Sequence, residues 1–253
     1  MKKIVTFLFL LGFTSGLFAQ QKIIFHYKFV QNIKGITGGS ELELYYQNGN
    51  SLELPKINDT LKNTTTYEGA NVVMRRVIRE NDKKPPFVLK SPASNSLIFA
   101  QRLWIQPAIL VVDTLNNFKW NIFNETKSIG GVVCTKAETN FRGRKYTAWF
   151  KKDNALQVGP WKFGGLPGII YEVKDSEELF TYLLTGYDFV DSFPVDLQLP
   201  ALYNDDIMIS QKDFIAKWKD VKKDVEKDND KITYTLIGTS NIKHEVAPIQ
   251  ELY

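Results

Sequence analysis

The chain has 253 residues carrying 32 basic and 28 acidic side chains, two histidines and one cysteine. The signs are interleaved: the richest charge run, Lys217 to Lys231, alternates lysine with aspartate and glutamate and reads as a solvated face, so the composition excludes the clustered basic surface that nucleic acid needs. A lone Cys134 excludes an internal disulfide, and stability must come from an apolar core.

The chain opens with Lys2-Lys3, an apolar stretch from Ile4 to Phe13, and the small residues Thr14-Ser15-Gly16 ahead of Leu17-Phe18-Ala19. This basic, apolar, small-residue order predicts a secretory signal peptide over Met1–Ala19, cleaved before Gln20. The apolar part falls short of the roughly 20 residues that a membrane span needs. Loss of Lys2 and Lys3 lowers the formal charge from +4 to +2. The remaining 20–253 has the length of a single domain, able to bury about 70% of its unfolded surface. No cysteine follows the signal for lipid attachment and no second long apolar run is present, so the mature chain is expected to be soluble, without a transmembrane segment, and periplasmic or extracellular.

Taken in order, the mature chain alternates apolar and polar residues with period two, the mark of half-buried strands. Strands are predicted over Lys22–Val30, Glu41–Tyr46, Ser51–Leu54, Val72–Arg79, Leu97–Trp104, Ile109–Asp113, Phe118–Ile122, Gly131–Glu138, Arg144–Phe150, Ile169–Lys174, Phe180–Asp188 and Lys231–Leu236. Turn signals stand between them at Asn48-Gly49-Asn50, Lys84-Pro85-Pro86, Asn116-Asn117 and Arg142-Gly143, and the stretch 159–168 is rich in glycine. Residues 55–69 and Asp191–Asp206 read as long surface loops. One helix is expected after Ser210, which caps it with Asp213; Phe214, Ile215, Trp218, Val221 and Val225 form its apolar stripe, and it ends near Asp228-Asn229-Asp230. The fold class is α+β, mainly antiparallel β, with a curved sheet or half-barrel meander and one C-terminal amphipathic helix.

From Trp120 to Asp175 the chain carries the Glu125-Thr126-Lys127 triplet, Cys134 with Lys136-Ala137, Gly143-Arg144, Ala148-Trp149-Phe150, Gly159-Pro160 and Gly165-Leu166-Pro167-Gly168-Ile169-Ile170. This block closely resembles the signature of the GLPGLI family of exported proteins, widespread in Bacteroidetes; Ile169 stands for the family's leucine, and Ala155-Leu156 where an isoleucine-proline pair is usual. The resemblance implies an exported antiparallel half-barrel or curved sheet and an accessory role at the cell envelope beside an outer-membrane receptor-like protein. It implies no catalytic residues.

Read physically, Gly159, Gly164, Gly165 and Gly168 open backbone angles closed to other residues while Pro160 and Pro167 fix theirs, so the block, with Leu166 in the same structural motif, forms a rigid multi-turn connection between Arg144–Phe150 and Ile169–Lys174 that also presents Trp161, Lys162 and Phe163. Trp161 and Phe163 on this connection either fold back to plug the end of the sheet or form a rigid partner-binding edge. Arg142, Arg144 and Lys145, with Lys151 and Lys152, form a basic edge that steers an acidic partner or guards an exposed strand.

The search for chemistry returns little. The glycine block lacks the Gly-Lys-Ser/Thr ending of a phosphate cradle, and there is no Gly-x-Ser-x-Gly elbow. His26 and His244 are not spaced as metal ligands and read as surface or edge residues. Cys134 reads as a buried thiol, with a reactive role, aided by Lys136, as the alternative. Glu41 and Glu43 project from one strand face about 7 Å apart, within the span used by inverting glycosidases, yet alternation with Leu42 and Leu44 explains them as a solvated face. No cofactor and no metal are implied. The expected function is that of an exported envelope-associated accessory or binding protein engaging an outer-membrane partner or apolar ligand; the alternatives are a secreted enzyme, hydrolytic or thiol-dependent, a small apolar-ligand carrier, or a structural envelope component.

Overall fold

Two long strands, β1 (Lys22–Ile33) and β2 (Ile36–Gln47), pair in antiparallel register from Ile23↔Tyr46 to Ile33↔Ile36 and form the middle of the sheet. The structure is a computed structural model that describes residues 21–33, 36–56, 64–68, 71–75, 84–102, 108–115, 117–152 and 155–229. The expected signal segment at Met1–Ala19, the strand at Lys231–Leu236 and His244 lie outside the described residues, as do the ends of the strands expected over Val72–Arg79 and Leu97–Trp104.

The further strands are β3 (Asn50–Pro55), β4 (Thr64–Glu68), β5 (Asn71–Arg75), β6 (Phe87–Ser91), β7 (Ser96–Arg102), β8 (Ala108–Thr114), β9 (Asn121–Ile129), β10 (Val132–Phe141), β11 (Arg144–Lys152), β12 (Gly168–Asp175), β13 (Phe180–Val190) and β14 (Met208–Ser210), followed by α1 (Gln211–Asn229). They order as β14-β8-β7-β6-β3-β2-β1-β13-β12-β11-β10-β9, with β4 and β5 off this path. All neighbours on the path are antiparallel except β14 and β8. The expected mainly antiparallel α+β class holds. Among the described residues the terminal strands β9 and β14 do not pair, so the sheet stays open.

Three hairpins turn on adjacent positive-φ pairs: Asn48-Gly49 (52°, 84°), Gly130-Gly131 (57°, 81°) and Arg142-Gly143 (44°, 82°). Such pairs give the turn whose twist matches that of the flanking strands. The first and third coincide with expected turns; the second, with the whole of β9 leading into it, extends past the strand expected over Phe118–Ile122. That strand is corrected. Phe118, Lys119 and Trp120 precede the ladder, and Phe118 and Trp120 stack on each other (5.6 Å) and lie against Phe163 (5.3 and 6.4 Å). Their alternation reflects burial against the core without strand pairing.

The sheet folds over on itself. One cluster joins Val88, Leu97, Phe99 and Val111 of β6–β8 to Ala137, Phe141, Tyr146, Ala148, Phe150, Ile170, Val173 and Tyr182 of β10–β13, with Trp161, Phe163 and Leu166 between them. A second cluster gathers Ile23, Phe25, Tyr27, Leu44, Tyr46, Val158, Ile169 and Leu184. The β12–β13 ladder has paired residues only from Glu172↔Leu183 to Lys174↔Thr181; nearer its start β12 bridges Val158 in parallel instead.

On the opposite face of β3, β6, β7 and β8, a third cluster contains Leu52, Phe87, Leu89, Ala100, Leu110 and Tyr203. The segment Asp191–Asp206, expected as a surface loop, is thus a strap: Val195, Leu197 and Leu199 pack there, and fully buried Tyr203 donates its hydroxyl to the Pro85 carbonyl. α1 starts as expected, with the Asp213 N–H donating to Ser210 Oγ (3.1 Å) and the Ser210 hydroxyl donating to Asp213 Oδ2 (2.7 Å). It buries Phe214 against Phe99, with Trp218 and Val221 beside the main cluster. Among the described residues, no helix is long and apolar enough to cross a membrane.

Candidate functional site

The connection between β11 and β12 enters the space between the two halves of the sheet and is held by side chains from β3 and β6. Two of its glycines are required by close approach. A Cβ on Gly168 would lie 1.9 Å from the Lys151 carbonyl oxygen, and one on Gly159 would lie 2.8 Å from that of Phe163. Trp161 has φ +48°, a region that bulky residues rarely occupy, and its N–H donates to Glu53 Oε2 at 2.7 Å. Lys90 Nζ donates to the Gly159 carbonyl at 2.7 Å and the Phe163 carbonyl at 2.8 Å. A buried carboxylate and a buried ammonium therefore satisfy backbone groups that a turn inside a core would otherwise leave unpaired.

Burial pushes Glu53 above the usual carboxylate range, against the pull of Lys90 and the Trp161 N–H, and pushes Lys90 down to about 8, with Glu53 opposing the shift. Neutral Tyr27 completes this interior: its hydroxyl donates to the Ile170 carbonyl at 2.7 Å, and burial, with Glu53 second, raises its pKa.

Farther along the loop, the Lys162 side chain is buried with Nζ 3.9 Å from the Phe99 ring centroid and 3.3 Å from Gln211 Oε1. Asp113 Oδ1 accepts from Arg142 Nη2 at 2.9 Å. Its buried Oδ2 has Arg142 Nη1 at 2.8 Å and Lys162 Nζ at 3.8 Å as charge contacts, without hydrogen-bond alignment. The loop is tied to both halves of the sheet.

One side of this loop lines a cleft of about 420 Å³ together with Tyr46, Ser51, Lys90, Asn95 and Leu115. The loop contributes Gln157, Gly164 and Gly165 to the wall, and Trp120 Nε1 donates to the Gly164 carbonyl at 2.8 Å. A Cβ on Gly164 would meet nothing within 4 Å, so this wall faces open space.

The residues singled out from the sequence fall in different places. Trp161 and Phe163 lie inside, 8% and 1% exposed, with Phe163 among Phe118, Tyr146, Trp161 and Tyr182. Leu166 and Pro160 are buried with them, while Gly165 and Pro167 are exposed. The basic edge is dispersed. Arg144 is buried, its Nη1 donating to Asp175 Oδ2 (3.0 Å) and Glu177 Oε2 (3.1 Å), while Arg142 pairs with Asp113. Lys145 is half-exposed and paired with Glu138 at 2.8 Å, which holds that carboxyl below its usual value. β11 is also not an exposed strand in need of guarding, since it pairs with β10 and β12; among the described residues the ends of the sheet path are β9 and β14.

Cys134 is buried, and burial raises its pKa despite Lys127 and Lys151 nearby. His26 lies on the outer face, where Nε2 is 2.8 Å from Asp188 Oδ2 and Nδ1 is 3.8 Å from Glu43 Oε1. Glu43 also accepts from the Tyr45 hydroxyl (2.6 Å) and faces Lys56 (3.4 Å), so it is not simply solvated; Glu41 is exposed. Among the described residues, no group of three or more His, Cys, Asp and Glu side chains is placed to hold a metal ion.

Sequence reasoning missed Glu53, Lys90, Asp113 and Gln211. The available signal was Lys90 within the apolar run Phe87-Val88-Leu89: a charge inside a strand buried on both faces needs a partner.

No family model matches the chain, and no curated relative matches it. Among solved structures it is similar to PNGF-II. In that protein's C2 crystal form the identity is 14% and the TM-score 0.50, covering 79% of this chain and 32% of that one; in the P21 form the values are 12%, 0.51, 80% and 34%. The chain spans about a third of the length of PNGF-II, and the likeness is one of fold alone.

Proposed function

We propose that the protein is an exported, envelope-associated binding or accessory protein, and that the cleft beside the 158–168 loop is where it holds a segment of an outer-membrane partner. The observation that carries this reading is a cleft whose wall is built before any ligand arrives. Lys90 and Glu53 lock the loop backbone from within, so little order is lost when a partner enters. The lining mixes backbone polar groups and the Ser51, Asn95 and Gln157 side chains with Tyr46, Pro92 and Leu115, a surface suited to an extended peptide segment. The expected signal peptide and the resemblance to the GLPGLI signature support the compartment and the partner class. Trp161 and Phe163 then act as the scaffold of the site, and the contacts fall to the exposed side of the loop.

Gly164→Trp tests the reading. Open space at Gly164 lets the indole enter the cleft without strain on the fold. A photo-crosslinker placed at Gln157 in the native envelope should capture an outer-membrane protein, and Gly164→Trp should abolish the capture while leaving the melting temperature unchanged. Capture that survives in the Gly164→Trp variant, or no capture above a crosslinker placed at Lys219 on exposed α1, would overturn it.

A further inference from the structure

The floor of the cleft beside the 158–168 loop is one cross-strand row. Ser51 of β3 stands opposite Tyr46 of β2 on one side and Lys90 of β6 on the other, so the three side chains share a face. Serine is the short member between two long ones, and its size leaves a hollow. The lining grades from an exposed rim of Pro92, Asn95, Gln157 and Gly165 to a buried floor, where Ser51 is 4% and Lys90 8% exposed.

Both floor groups keep hydrogen-bonding capacity unused. An ammonium carries three N–H donors, and Lys90 gives two of them to the Gly159 and Phe163 carbonyls. Among the described residues the third has no hydrogen-bond partner: Glu53 acts on Lys90 through charge alone, and its Oε2 accepts from the Trp161 N–H. The Ser51 hydroxyl has no hydrogen-bond partner among the described residues either, nor have the N–H groups of Gly164 and Gly165 on the wall. Among the described residues that line the cleft, Lys90 is the only one with a charged side chain. A cation with a spare donor, next to a spare hydroxyl at the foot of an otherwise uncharged cleft, selects an anionic group with more than one oxygen.

Taking the cleft as the partner site proposed above, we infer that the partner segment enters it by its C-terminal end, one carboxylate oxygen accepting from the third Lys90 N–H and the other from the Ser51 hydroxyl. The carboxylate gives Lys90 a hydrogen-bonded counter-charge, which Glu53 does not. A chain end suits this floor because the hollow is one serine wide, and Lys90 Nζ, tied to the Gly159 and Phe163 carbonyls, lets nothing run on past it. The main chain behind the carboxylate then meets the Gly164 and Gly165 N–H groups and the Asn95 and Gln157 amides, the donors and acceptors by which an extended peptide is held.

Titration of the isotope-labelled protein with N-acetyl-triglycine, read on the amide resonances of Gly164 and Gly165, tests this against the same peptide carrying a C-terminal amide. The free acid should bind at least about tenfold more tightly than the amide, as a hydrogen bond to a charged group requires. A capped peptide whose only carboxylate is a glutamate side chain should bind as weakly as the amide. Ser51→Ala should weaken binding of the free acid about two- to tenfold with the melting temperature unchanged. The crosslink from Gln157 separates this recognition from the cleft itself: capture that is lost in Gly164→Trp, together with indifference to the end group, leaves the partner site standing without its carboxylate. Equal affinity for acid and amide, equal affinity for the side-chain carboxylate, no saturable shift with millimolar free acid, or Ser51→Ala binding like the natural chain would each overturn the inference.

Discussion

Replacing Lys90 by methionine keeps the length of the side chain and removes its charge. Three partners lose their counterpart at once: the Gly159 carbonyl at 2.7 Å, the Phe163 carbonyl at 2.8 Å and the buried Glu53 carboxylate. A buried polar group left without its hydrogen bond costs about 1–3 kcal/mol, and removing one member of a buried ion pair costs about 3–5 kcal/mol. These costs overlap, because Glu53 can take up a proton when its counter-charge is gone, so the expected loss for Lys90→Met is about 3–5 kcal/mol in all. Glu53→Gln keeps an acceptor for the Trp161 N–H and should cost about 1–2 kcal/mol. Combined, the two changes should cost at least about 1 kcal/mol less than their sum, since neither charge is then stranded. Urea unfolding followed by tryptophan fluorescence measures all three. A loss below about 1 kcal/mol for Lys90→Met, or strict additivity of the pair, would refute the view that this ammonium holds the loop.

The same pair predicts a pH dependence. With Lys90 at about 8 in the folded chain against 10.5 ordinarily, the unfolded chain binds a proton between those values that the native chain does not, so stability measured against Lys90→Met should rise from pH 8 to 10.5. A flat or falling difference across that window speaks against a desolvated ammonium. Gly168→Ala should destabilise by more than about 2 kcal/mol because its Cβ would collide with the Lys151 carbonyl, whereas Gly164→Ala should stay within about 0.5 kcal/mol; equal effects on urea midpoints would remove the close-approach argument. A thiol reagent should label Cys134 at the rate of unfolding, since the thiol is buried and its pKa raised. Rapid labelling of the native protein would instead restore a thiol-dependent activity as a reading of this chain.

The legible part of the site was its backbone. Glycines and prolines from Gly159 to Gly168 mark a tight multi-turn connection whatever surrounds it, and the close approaches at Gly159 and Gly168 are the reason those residues stand there. Its electrostatic support was not legible as a pair: Glu53 and Lys90 come from strands far away along the chain, Glu53 alternates with Leu52 and Leu54 as a solvent-facing residue does, and Lys90 at the end of the apolar run Phe87-Val88-Leu89 calls for a partner without naming it. Arg144 misled in the opposite direction: as one of several cations near a turn it reads as exposed, yet Asp175 from the neighbouring strand meets it in the interior.

By itself the sequence determined the class of the fold. Period-two alternation, turn residues and the Ser210–Asp213 cap are local, and local backbone preferences decide strands, hairpins and helix starts without knowledge of what lies opposite. Only the tertiary structure decided which faces are inside. Once the sheet folds over the 158–168 loop, the inner face of β3 and β6 is covered by that loop and the outer face by the 191–206 strap, so both faces of these strands lose water. Burial is a property of two surfaces meeting, and a pattern read along one strand carries no record of the second.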